Sequence, residues 1–273
     1  MGFKLTPVVK YLLLINIGIY FLMFITGGKF YSLLALHNIN SDGFYPFQFL
    51  THMFLHDLSD PMHLLGNMFG LFMFGPMLES VWGAKRFITF YLFCGLGAAF
   101  LYTSVQYYDS YKLNQTISEY KINPDPQSFG VILYRYFDGY QQRNEEGEKA
   151  FYVIYPAYKA NPTSEVLAKN SIEYLYELYK DKVNSGSVVG ASGAIFGILM
   201  AFAMLFPNTE LLLFLIPFPI KAKYLVACYG IYELYAGFHR IRGDNVAHFA
   251  HIGGMIFAFI LIKYWQRKRN TFY

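Results

Sequence analysis

Six long apolar segments constrain this chain more than any other feature of its sequence. Each is close to the roughly 20 residues that a helix needs to cross a bilayer. They cover residues 8–26, 63–81, 87–107, 188–206, 224–236 and 245–265, with residues 211–216 as a candidate interfacial lead-in to the fifth. No small-residue cleavage site follows the first segment, so we interpret it as a span rather than a signal peptide. Charged residues make up only 15% of the chain, against about 25% in soluble proteins. The pattern predicts an all-α polytopic membrane protein.

Basic residues lie in the short joints between these segments and predict their orientation. Cytoplasmic joints carry an excess of Lys and Arg. The basic positions in the joints are Lys4, Lys10, Lys85, Arg86, Lys221, Lys223 and the tail from Lys263 to Arg269. Loop 30–62 instead contains Asp42, Asp57 and Asp60. We therefore expect cytoplasmic N- and C-termini, in a multi-pass protein of the bacterial inner (plasma) membrane.

A polar stretch separates the third and fourth segments and divides the chain into three parts. Residues 1–107 hold spans one to three with outer loop 30–62, and residues 188–273 hold spans four to six with a basic cytoplasmic tail. Residues 108–187 are predicted to be an extracytoplasmic insert that is partly helical, with a helix starting after Asn161–Glu165. Linker-like disorder is the alternative. The insert contains no His or Cys, so a substrate-selecting module and a passive spacer both stay open as its role.

Several classes of protein are disfavoured by composition. The two cysteines, Cys94 and Cys228, lie inside apolar runs, which argues against a disulfide framework and a zinc site. No basic and aromatic surface suggests nucleic acid, and no internal repeat suggests a transporter. We expect no metal and no cofactor.

Two ridges of small residues predict that spans four and six pack closely. Gly193 and Gly197 recur four residues apart in span four, as Ala250 and Gly254 do in span six. Such ridges let helix backbones touch in lipid. Ser192, exposed between Gly190 and Gly193, precedes its ridge by one residue, and His251 follows its own. Both would then lie at the edge of one helix contact, where His251 could serve as the base of a serine nucleophile. His248, one turn earlier, is the alternative base or a lining residue.

A third cluster lies at the outer end of span two. His63 and Asn67 are four residues apart and share a helix face. Both can donate hydrogen bonds, and acyl transfer needs donors aimed at the developing oxyanion. With the backbone N–H of Ser192 they would form an oxyanion site. Polar contact between helices is the alternative reading of this pair.

These motifs together resemble the rhomboid intramembrane proteases, which share a six-helix core. The matching pieces are His63-xxx-Asn67, Gly190-x-Ser192-Gly193 and Ala250-His251-xx-Gly254, in the family order on spans two, four and six. Residues 51–56 and 79–87 resemble the family's first outer loop and the joint after span two.

The resemblance implies a serine endopeptidase that cleaves single-span membrane proteins near the outer leaflet. It implies a Ser192–His251 dyad without an acid, an oxyanion site of His63, Asn67 and the Ser192 N–H, and Phe196 packed against the imidazole. A catalytically silent rhomboid-like protein that binds membrane clients is the alternative. Some members carry Trp-Arg in the first outer loop, where this chain has Phe47-Gln48. The insert is not part of the common core.

Overall fold

The computed structural model describes residues 4–212, 218–239 and 246–267. The chain is mostly helical. Its elements are α1 (Pro7–Ile25), α2 (Tyr31–Leu34), β1 (Leu36–His37), α3 (Gln48–Thr51) with a 3-10 turn (His52–Phe54), α4 (Pro61–Trp82), α5 (Ala84–Ile122), α6 (Pro126–Tyr136), a 3-10 turn (Tyr140–Gln142), α7 (Glu145–Lys149), a π-helix (Ala150–Ile154), α8 (Tyr155–Ala160), α9 (Glu165–Ser185), β2 (Ser187–Val188), α10 (Ser192–Leu205), β3 (Glu210–Leu211), β4 (Ile220–Lys221), α11 (Ala222–His239) and α12 (His248–Arg267).

The chain forms two compact units. The first comprises the ranges Met1–His37, Gly43–Ser104 and Ser187–Tyr273, and the second comprises Asn38–Asp42 and Val105–Gly186. Three sequence predictions fall wholly or partly outside the described residues: the lead-in 211–216, the start of span six at Asn245, and the tail residues Lys268 and Arg269.

Each predicted span overlaps one helix of the first unit. Within the described ranges, α1, α4, α5 and α12 are long and apolar enough to cross a membrane, and α10 is a shorter apolar helix. The six-span count therefore stays a prediction. Helix α5 runs to Ile122, beyond the predicted end of span three, because no Gly or Pro occurs between Gly97 and Pro124. Helix α10 starts at Ser192 rather than at Val188, which pairs in a strand instead.

The burial pattern of α1 is that of a helix in lipid. Its large apolar side chains Leu14, Phe21 and Phe24 are more than half exposed, whereas Asn16 is fully buried. Apolar surface of this extent fits a bilayer and not water. At the start of the helix, the buried Glu79 carboxylate of α4 accepts hydrogen bonds from Thr6 Oγ1 (2.5 Å), Val8 N (3.0 Å) and Val9 N (3.0 Å). A carboxylate at this position satisfies free N–H groups and complements the helix dipole.

The second unit has its own hydrophobic core, built from α5 residues beyond Val105 and from α6 to α9. Tyr120 and Ser171 share a buried hydrogen bond of 2.6 Å. Tyr158 donates to the carbonyl of Pro124 at 2.9 Å. The helix expected after Asn161–Glu165 is α9, and Ser164 Oγ accepts from Leu167 N at its start. This segment is a packed helical unit rather than a disordered linker.

Candidate active site

The chain leading to Ser192 is held by backbone contacts to the first outer loop. Strands β1 and β2 are antiparallel, with Leu36 opposite Val188. Gly190 N donates to His52 O at 2.9 Å. Gly190 has a φ of 128°, and a Cβ there would lie 2.8 Å from His63 Nε2. Only glycine combines this backbone conformation with so close an approach. The loop therefore brings His63 against Gly190, two positions before Ser192. Helix α10 begins at Ser192.

Helices α10 and α12 touch through their small residues. A Cβ at Gly254 would overlap the carbonyl oxygen of Gly193. A Cβ at Gly193 would lie 3.5 Å from Ala250 O, and one at Gly197 would lie 3.2 Å from Gly254 O. The structure thus brings together the two ridges on which the predicted meeting of Ser192 and His251 depends.

The His251 ring lies beside Ser192's helix, stacked on Phe196 with a centroid distance of 4.0 Å. Phe196 follows Ser192 by one helical turn and shares its face. Ser192 Oγ forms no hydrogen bond within the part of the chain described here. Catalytic hydrogen bonds often tighten only when substrate is bound. A cavity of about 10 Å³, lined by Ser192, Gly190, Ala250 and His52 among others, has room for roughly one water molecule.

A carboxylate that the sequence analysis missed lies at the centre of the site. Glu233 Oε2 is 2.9 Å from His251 Nδ1 and 2.7 Å from His248 Nδ1. All three side chains are buried. The resemblance implied a dyad without an acid, and the structure places a carboxylate beside the implied base because α11 carries Glu233 against α12. One sequence signal was available: Glu233 is the single charged residue of predicted span 224–236, and ionisable residues inside spans are functional candidates by default.

His63 lies with its Nε2 beside Gly190. Asp57 N donates to His63 Nδ1 at 3.4 Å, which leaves the proton of a neutral ring on Nε2. Asn67, one turn later, is buried, and its Nδ2 has no hydrogen-bond partner in the described chain. The site therefore offers one oriented donor and one buried, uncommitted donor, which are the groups an oxyanion requires.

The first outer loop is anchored by a polar residue, Gln48. Gln48 is fully buried, and its Oε1 accepts from His37 N at 3.2 Å. Its Nε2 donates to Leu33 O at 3.0 Å and to Gly43 O at 2.8 Å. Where the resemblance implies Arg in some members, this chain uses an amide that satisfies three backbone groups.

Two further histidines of this loop are buried and neutral. His52 Nδ1 donates to Gln48 O at 2.9 Å, and burial lowers the pKa of His52 to about 4. His56 is 1% exposed, and neither ring nitrogen has a partner among the residues described. Burial, together with the nearby His63, lowers the pKa of His56 to about 3.

The fold and these side chains define an integral membrane protein whose polar groups meet inside a helical bundle. The chain matches the Rhomboid domain family over residues 44–117 and 129–268 and belongs to that family. The matched ranges include most of segment 108–187, so the match does not set the predicted insert apart from the domain. No curated protein matches the chain.

Proposed function

We propose that this rhomboid is an intramembrane serine endopeptidase that cleaves transmembrane segments near the outer leaflet. The observation that supports this most directly is the setting of His251. Its ring stacks on Phe196, one turn from Ser192, and its Nδ1 is committed to Glu233. Nε2 is therefore the nitrogen left to take a proton from Ser192.

In the proposed reaction, Ser192 Oγ attacks the scissile carbonyl carbon while His251 Nε2 takes the hydroxyl proton. The C=O π electrons move to the oxygen, where His63 Nε2, Asn67 Nδ2 and the Ser192 N–H donate to the oxyanion. The intermediate collapses, the C–N bond breaks, and His251 gives its proton to the leaving amine. Water then deacylates the serine ester by the same route.

The substrates we propose are single-span membrane proteins. A helical substrate hides its scissile carbonyl in backbone hydrogen bonds, so cleavage requires local unwinding. Gly or Pro in the substrate span favours that unwinding because both destabilise helices. A cavity open to the outer side would supply the water for deacylation.

Active-site labelling tests this function against a silent, client-binding rhomboid. A serine-reactive fluorophosphonate should label the wild type but not Ser192→Ala. Ser192→Ala and His251→Ala should each abolish cleavage of a reference transmembrane substrate while the purified protein stays folded. Cleavage above trace level by Ser192→Ala would end the proposal, and absence of both labelling and cleavage in the wild type would favour the silent alternative.

The orientation proposed for the chain places both termini in the cytoplasm and segment 108–187 outside. Its support is the excess of basic residues in the short joints. Single cysteines at Ser128 and Arg269 can be probed in intact cells with an impermeant reagent. Cys228 is exposed and is first replaced by Ser, whereas the buried Cys94 can stay. Labelling at Arg269 and not at Ser128 would reverse the topology.

A further inference from the structure

We infer that Glu233 is a positioning residue of the catalytic unit, which holds the His251 ring and stabilises its imidazolium form. The inference rests on the proposed protease function and extends it from an acid-free dyad to a Ser–His–Glu arrangement. It has three supports: the hydrogen-bond geometry, the charge balance of the buried cluster and the part played by His248.

The hydrogen bonds set the tautomer of the base. An ionised carboxylate only accepts, so the 2.9 Å contact to Glu233 Oε2 requires a hydrogen on His251 Nδ1. In the neutral ring the lone pair is then on Nε2, the nitrogen that must receive the Ser192 proton. Phe196 fixes the plane of the same ring, with 9° between the two planes. Together the two contacts restrain both the rotation and the protonation pattern of the imidazole.

The charges explain why a carboxylate would matter in this place. Glu233 is 2% exposed and His251 is 9% exposed. An isolated imidazolium formed there would be poorly solvated, and burying an unpaired charge is costly. With the His251 ring neutral, the Glu233–His251 pair carries one negative charge. When His251 takes the Ser192 proton, the pair becomes neutral. The carboxylate thus stabilises the charge-separated transition state more than the ground state, which is the condition for raising kcat.

His248 is the residue that orients the carboxylate. Its Nδ1 lies 2.7 Å from the same Glu233 oxygen, at 7% exposure. Two donors on one oxygen fix the position of the carboxylate, just as hydrogen-bond partners orient the side chains that bind metals. His248→Ala should therefore lower turnover only partly, because Glu233 and His251 keep their own contact.

The same three residues also have the donor set of a metal site, with ligand atoms within 4.8 Å of one another. Tetrahedral zinc with ligand bonds of ~2.0–2.1 Å places its ligand atoms about 3.3 Å apart. The observed separations of 2.7 and 2.9 Å are shorter and are those of N–H···O hydrogen bonds. The distances therefore favour a hydrogen-bonded network.

The test compares Glu233→Gln, Glu233→Asp and a matched control, Glu79→Gln. Glu79 is also a buried glutamate in a predicted span, but its contacts are with Thr6, Val8 and Val9. Turnover and the rate of Ser192 phosphonylation are measured per folded molecule. Glu233→Gln should lower both by about 10²-fold, the low end for loss of general-base assistance, with KM changed less than about twofold. Glu79→Gln should lose thermal stability and keep its kcat.

The ranking of the two Glu233 variants separates charge from packing. Gln preserves the volume and removes the charge, whereas Asp keeps the charge and shortens the side chain. We expect Asp to retain more kcat than Gln. The inference is overturned if Glu233→Gln matches the wild type, if Gln outranks Asp, or if a chelator lowers wild-type turnover, which would indicate a bound metal. Ser192→Ala is measured in the same experiment. Residual cleavage by that variant would contradict the proposed protease function. An inactive Ser192→Ala together with a fully active Glu233→Gln would contradict only the role of Glu233.

Discussion

The imidazole of His251 lies flat against the ring of Phe196, with centroids 4.0 Å apart and planes inclined by 9°. Phe196 is itself braced by Tyr229, at a centroid distance of 4.9 Å. The stack restrains the proposed base on one face, and in the described part of the chain no other ring lies as close to His251. An aromatic pair of this kind contributes about 0.5–1.5 kcal/mol.

Phe196→Leu should therefore lower kcat by about 10-fold with little change in KM, since small misplacements of a catalytic group are costly. The measurement is steady-state cleavage per folded molecule. Phe202→Leu, a buried change in the same helix whose ring contacts Phe74 and Phe206, is the control and should affect stability alone. Equal kcat in Phe196→Leu and the wild type would show that the stack does not position the base.

Asn67 should lower the stability of the folded protein while supporting turnover. Its buried Nδ2 has no partner in the described residues, and an unsatisfied buried donor costs about 1–3 kcal/mol. Asn67→Leu should raise the thermal unfolding temperature while lowering turnover by about 10²–10³, the usual loss for one oxyanion donor. Asn16→Leu, in a different span, should leave turnover per folded molecule unchanged. Lower stability with unchanged turnover in Asn67→Leu would assign Asn67 a structural role.

Gly254 should tolerate no side chain. A Cβ there would overlap the backbone oxygen of Gly193, which cannot move without separating α10 from α12. Gly254→Ala should cost about 3 kcal/mol, at the upper end for overpacking, and should also reduce turnover because the two helices carry Ser192 and His251. Gly18→Ala is the matched control, since nothing lies within 4 Å of its Cβ position. Similar unfolding temperatures for the two variants would contradict the close packing.

Stability should fall in acid because of His56. Burial and the neighbouring His63 hold the pKa of His56 near 3 in the folded protein, against 6.5 as the ordinary value. Below about pH 6.5 His56 binds a proton in the unfolded chain, whereas in the folded chain it stays neutral until about pH 3. The free energy of unfolding is therefore lost as pH falls through this window. His56→Phe should reduce the slope by one proton, or about 1.4 kcal/mol per pH unit, in unfolding measured across the window. Parallel curves for variant and wild type would contradict this.

The sequence alone determined the features that depend on contiguous residues. Apolar length predicted a helical membrane protein, and the spacing of small and polar residues within spans two, four and six led to the rhomboid family, which the family match confirms. Ser192, His251, His63 and Asn67 could be selected because each motif is complete within one helix or its approach. Helix α5 continues to Ile122, beyond the predicted end of span three at residue 107, since polarity marks where a span leaves the membrane but does not end a helix.

Only the tertiary structure decided which side chains from different segments meet. Glu233 reaches His248 and His251 because α11 packs against α12 with that face turned inward, and no periodicity in an almost uniformly apolar span reveals the direction of one residue. Gln48 anchors the first outer loop through backbone groups of Leu33, His37 and Gly43, which have no side-chain signature. Local patterns follow from the chemistry of neighbours along the chain, whereas these contacts depend on the rotation and separation of whole helices and on the path of a loop.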